Sequence, residues 1–136
     1  MIQIIMGLKG SGKTKKLIDS VNQAALEAQG SVVCIEYGSN LRYEIKSNVR
    51  LVDSKEYGIT NSDMLKGLLS GLHAGNFDIT NVYIDNLYKT IGTDRAACEE
   101  FLAWCEKFAE INQMKITVSV SDDPEQVSEA VRKFLI

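Results

Sequence analysis

Residues 1–21 read MIQIIMGLKGSGKTKKLIDSV, and this stretch decides the fold. Ile2 to Met6 is a short apolar run that suits a buried strand and ends at Gly7. From Lys13 to Ala28, the residues Leu17, Val21, Ala24, Ala25 and Ala28 recur on one helical face, and Gly30 closes the helix. Between strand and helix lies GLKGSGKT, in which Gly7, Gly12, Lys13 and Thr14 satisfy G-x-x-x-x-G-K-S/T. Each residue type answers a chemical demand. Glycines let the backbone curl until its N–H groups converge on phosphate oxygens, and the helix that follows offers its positive end. A lysine at position 13 reaches the β- and γ-phosphates, and a hydroxyl at position 14 ligates Mg²⁺. Gly7, Leu8, Lys9, Gly10, Ser11, Gly12, Lys13 and Thr14 are therefore expected to hold a nucleotide. ATP is preferred over GTP because no N-K-x-D phrase that reads guanine is present.

Further along, SVVCIE (Ser31 to Glu36) is apolar and β-branched, a second buried strand. The stretch from Tyr37 to Gly58 is the least regular. It predicts a loop, a short extended piece at Leu41 to Ile45 with period two, and a strand near Val49 to Asp53. Leu65, Leu68, Leu69 and Leu72 predict a helix that stops at Gly75-Asn76. NVYIDN (Asn81 to Asn86) reads as a strand, Asp94 to Asn112 as a helix, and KITVSVS (Lys115 to Ser121) as a strand. Asp123, Pro124 and Gln126 write a helix start, with Val127, Val131 and Phe134 on the inner face. Strands alternating with helices imply an α/β fold of three layers, a mainly parallel sheet with helices on both faces. Sites in such sheets lie at the carboxyl ends of the strands, where Gly7, Asp85 and Ser121 should gather. Asp85 ends an apolar strand, the place of the carboxylate that holds the water shell of magnesium opposite a phosphate loop.

Composition narrows the classes. The chain has 136 residues, the size of one ordinary domain, with 45% hydrophobic and 24% charged residues. A net charge of −3 argues against general nucleic-acid binding. No apolar run approaches the ~18 residues that span a bilayer. Three cysteines without a C-x-x-C pair suit reduced thiols in a cytoplasmic protein.

Three stretches in order resemble the nucleotide-binding core of the thymidine kinase family: GLKGSGKT, CIEYGSNLRY (Cys34 to Tyr43) and VYIDNLYK (Val82 to Lys89) followed by KITVSVSDD. The resemblance implies the RecA-like division of P-loop NTPases, in which a further strand lies between the strand of the loop and the strand of the metal-binding acid. It also implies a role for Arg42 at the phosphates or an acceptor. The chain departs from that family in three ways. The acid that acts as base after the metal-binding Asp is Asn86 here, the acid of the D-x-R-Y phrase is Asn40, and no cysteine-rich zinc lid follows. Short bacterial P-loop proteins labelled as twitching-motility ATPases are also similar.

The expected function is Mg²⁺-nucleotide binding with weak or partner-dependent hydrolysis. Lys13 and Asn86 would act in catalysis and Thr14 and Asp85 at the metal, with a protein partner or second copy completing the site. The alternatives are a small-molecule kinase that borrows its lid, and a nucleotide-sensing interaction module. His73 falls in the last turn of its helix, where it can bond free carbonyls. Asp122 reads as a solvated neighbour of a helix cap.

Overall fold

The computed structural model describes residues 1–136. Five strands form one sheet: β1 (Ile2–Gly7), β2 (Ser31–Glu36), β3 (Arg50–Asp53), β4 (Ile79–Ile84) and β5 (Lys115–Ser121). All pairs are parallel, and the spatial order is β1-β5-β4-β2-β3. Thus β5 lies between β1 and β4. The helices are α1 (Lys13–Glu27), α2 (Ser62–Gly75), α3 (Leu87–Ile91), α4 (Arg95–Ile111) and α5 (Glu129–Arg132).

Alternation within each strand divides the side chains between two layers. Ile2, Ile4, Val33, Ile35, Val82, Ile84, Ile116, Val118 and Val120 face the larger core, which they share with Leu65, Leu69, Phe101, Leu102 and Cys105 of α2 and α4. Ile5, Val32, Cys34 and Tyr83 face the other way, onto Leu17 and Val21 of α1. The sheet is therefore covered on both faces, in three layers. Its β1 edge is covered by the chain end, where Phe134 accepts from Ile4 N at 2.9 Å and Ile136 N donates to Ile4 at 3.0 Å.

Two local expectations fail. Leu41 to Ile45 is not extended but a turn closed by Glu44 N on Leu41 O at 2.9 Å, and its two apolar ends are buried beneath α1. The expected last helix is broken. Asp123 caps a 3₁₀ turn over Pro124–Gln126, Val127 is extended with ψ 154°, and α5 is only four residues long. Extended Val127 ends the turn after three residues, and Ser128 starts a separate helix as its N-cap. No helix is long and apolar enough to cross a membrane.

Candidate functional site

The loop between β1 and α1 owes its shape to two backbone facts. Gly10 and Gly12 have φ of 86° and 88°, the left-handed region that side chains resist. Gly12 is also the N-cap of α1, so the chain enters the helix directly from the curl. Inside the loop one backbone bond forms, Ser11 N to Leu8 O at 3.1 Å. The N–H groups of Lys9, Gly10, Gly12, Lys13 and Thr14 donate to no protein acceptor. Lys13 folds over the loop and donates from Nζ to Leu8 O at 3.0 Å, and Thr14 is exposed in the first turn of α1.

The acidic side of the site comes from the strand ends. Ile84 pairs with Val118 and with Ile35, so the next residues, Asp85, Ser119 and Glu36, stand side by side on the α1 face. Asp53 of β3 pairs with Glu36 and extends the row. The backbone turn after β4 is held by Asp85 N on Ile35 O at 2.9 Å and by Asn86 N on Ser119 Oγ at 2.7 Å. Ser119 Oγ in turn donates to Asp85 Oδ1 at 3.0 Å. Burial pushes the Asp85 carboxyl above its ordinary range. The Ser119 hydrogen bond and the positive charges of Lys89 and Lys13 pull it back. Lys13 and Lys89 are thus within electrostatic reach of Asp85, but neither forms an ion pair with it, and sequence reading missed Lys89.

Asn86 caps α3 in the left-handed region with φ 51°, and its side chain makes no hydrogen bond. Glu36 is buried, accepts from Leu41 N at 3.1 Å, and is also pushed upward, first by burial. Cys34, beneath it, is buried and pushed up to about 12, which leaves its thiol unreactive.

Arg42 sits apart from the loop. It stacks on Tyr43 at 4.8 Å and, with Glu36, Gly38 and Asp53, lines a recess of about 220 Å³ beyond β2 and β3. No hydrogen bond joins it to residues 7–14. A larger recess, about 490 Å³, lies at the opposite end of the sheet around Gln29, Asp78 and Gln113, remote from this chemistry.

Two sequence readings are corrected. Asp122 is no solvated cap neighbour. Arg95 grips it with Nε to Oδ2 at 2.8 Å and Nη2 to Oδ1 at 2.7 Å, and Tyr88 donates to Oδ2 at 2.6 Å. The guanidinium bonds hold its carboxyl well below the usual range. His73 bonds no carbonyl. Its ring lies between Phe77, at 5.4 Å, and Phe108, at 6.1 Å. The pair Arg95 and Asp122, separated by 27 positions, gave the sequence no signal beyond two opposite charges. Ser119 had a faint one: Thr117, Ser119 and Ser121 alternate with valines, placing three hydroxyls on one face.

Comparison with solved structures places this architecture. Domain III of the Thermotoga maritima replication initiation protein DnaA superposes with a TM-score of 0.51 at 14% identity, covering 97% of this chain and 50% of that one. The pCW3 conjugation coupling protein TcpA, a monomer form with ATPγS, superposes with a TM-score of 0.50 at 16% identity, covering 98% and 46%. The chain spans about half the length of these structures. At such identities the likeness shows the fold alone, three layers built on an all-parallel five-stranded sheet. No protein-family model and no curated protein matches the sequence. These comparisons show neither the kinase nor the motility resemblance.

Proposed function

We propose that this chain binds a Mg²⁺-nucleotide, ATP by preference, and hydrolyses it slowly on its own. The observation that carries the reading is the loop itself. Five N–H groups without protein acceptors and one lysine surround a glycine curl at a helix N-terminus, with a free carboxylate oxygen nearby. These donors are open to solvent at one helix N-terminus, and a polyphosphate can satisfy them together.

The residues also fit magnesium. No cluster of three His, Cys, Asp or Glu side chains could enclose a cation. Thr14 and Asp85 would supply what the protein gives, and water and phosphate oxygens the rest, as suits an ion that dehydrates reluctantly. When bound, the cation would neutralise charge on the phosphates. The protein's own part is to hold the phosphates with Lys9, Gly10, Gly12, Lys13 and Thr14.

Slow turnover follows from Asn86, which cannot accept a proton from an attacking water. A base at that point commonly contributes 10²- to 10⁴-fold. A partner or second copy would then complete the site. One observation favours a second reading: Glu36 stands beside Asp85, buried and with a raised pKa, and could itself take the proton. Transfer to a small-molecule acceptor is the further alternative, for which the recess at Arg42 is the available space.

Lys13→Ala tests the central reading. Truncation removes one exposed bond to Leu8 and opens no core, so the fold should persist. Nucleotide at a hundred times its Kd stabilises by about 2.7 kcal/mol, on the order of 10 °C in Tm for a chain of this size. Wild type should show that shift with Mg-ATP and the variant none. Equal shifts in both would refute the phosphate-loop assignment.

A further inference from the structure

Ser119 lies on β5, in the row between the phosphate loop and Asp85, and is 1% exposed. Its hydroxyl does two things at once. It accepts from Asn86 N at 2.7 Å and donates to Asp85 Oδ1 at 3.0 Å. A single oxygen therefore fixes both the backbone just after Asp85 and the rotation of the Asp85 carboxylate. With Oδ1 engaged, Oδ2 accepts no hydrogen bond from the protein. Asn86 takes a left-handed conformation at this turn, and its bonded N–H holds the chain there without help from its side chain.

We propose that Ser119 is a positioning residue for the cation of the bound nucleotide. It locks Asp85 so that one carboxylate oxygen is spent on the protein and the other is presented, preoriented, to the water shell of Mg²⁺. This rests on the Mg²⁺-nucleotide reading above and adds to it a residue that touches neither phosphate nor metal. Two features support it beyond the hydrogen bonds. Ser119 is on the face shared by Lys13 and Asp85, not on the α4 face, where its neighbours Val118 and Val120 are buried. The strand order puts β5 directly beside β4, so the contact is fixed by the sheet rather than by a mobile loop. Partners of this kind that orient a metal ligand typically change metal affinity 10- to 100-fold when removed.

The test uses the full chain and two calorimetric affinities, one for Mg-ADP and one for ADP in EDTA. Ser119→Ala should weaken Mg-ADP binding about tenfold while binding of metal-free ADP stays within twofold of wild type. Ser119→Cys, whose thiol is a weak donor, should fall between. Metal-free binding reports an intact fold, and if the alanine variant does not fold, the cysteine variant carries the same comparison. A merely structural serine would lower both affinities together, or neither, and either result overturns the proposal. If wild type binds ADP equally with and without Mg²⁺, the metal role of Asp85 fails, and this inference with it. If wild type binds no nucleotide at all, the phosphate-loop reading itself fails.

Discussion

Gly7 offers the sharpest test of how the loop works, because its need for glycine is spatial. It is not among the residues with positive φ. A methyl group on its Cα would instead collide with Ser11 Oγ and lie 3.0 Å from Ser11 Cβ. The next atom, Lys13 Cγ, is at 3.7 Å, an ordinary contact. Gly7→Ala thus collides with a single side chain, across the turn that the loop must complete. The hydroxyl can rotate away, but Ser11 Cβ is fixed by its backbone, so the curl must give by a few tenths of an ångström. Overpacking of this kind costs about 1–3 kcal/mol. If the cost falls on the phosphate-ready conformation, Mg-ATP affinity drops roughly 5- to 150-fold. Stability should change less, because Ser11 is exposed and the loop can relax into solvent when empty. Calorimetry on Gly7→Ala, Ser11→Gly and the double variant isolates the collision. Removing Ser11 Cβ and Oγ removes the obstacle, so the double variant should bind about as well as Ser11→Gly alone. Wild-type affinity in Gly7→Ala, or a double variant no better than Gly7→Ala, would refute the reasoning.

Two further outcomes are expected. Steady-state phosphate release by wild type should run well below the ~10 s⁻¹ median of enzymes, and Asn86→Glu should raise it, although Glu in the left-handed region costs ~1–2 kcal/mol of stability. Fast wild-type turnover abolished by Glu36→Gln would instead make Glu36 the base. Asp122→Asn should destabilise at pH 7 by roughly 1.5 kcal/mol, the low end for charged hydrogen bonds because Arg95 is half-exposed. The folded pKa of Asp122 is depressed, so its contribution is complete above the unfolded value near 4 and is lost as pH falls towards the folded one. Urea midpoints of wild type and variant should therefore converge below about pH 4. A constant gap across pH would show that the charge is not what matters.

What the sequence made legible was what its neighbours along the chain determine. GLKGSGKT is eight consecutive residues, flanked by an apolar strand and an amphipathic helix, and the loop forms as its glycines dictate. Strands β1, β2, β4 and β5 were legible because each is apolar or alternating over six or seven residues. Leu41 to Ile45 misled for a definite reason. A spacing of four satisfies both a strand of period two and a single helical turn, and three intervening polar residues cannot separate them. Helix α3 escaped notice because five residues are too few to show a period. The Arg95–Asp122 grip and the Ser119–Asp85 bond join segments 27 and 34 positions apart, and neither can be seen until the strand order is known.

That order also explains why the site needs a serine where it has one. With β5 between them, β1 and β4 are two strand spacings apart, about 10 Å. The gap suits an acid that acts on the cation through water, as magnesium favours, rather than by direct contact. It also means that the residue on β5 facing α1 stands beside the acid at close range. An apolar residue there would leave Asn86 N–H and Asp85 Oδ1 without partners inside a poorly hydrated site. A carboxylate would set a second negative charge against Asp85, raise its pKa further and favour the protonated form that cannot serve a cation. A lysine would pair with Asp85 and compete with the metal for it. A hydroxyl both accepts from the backbone and donates to the carboxylate, and it is small enough to be buried in the sheet.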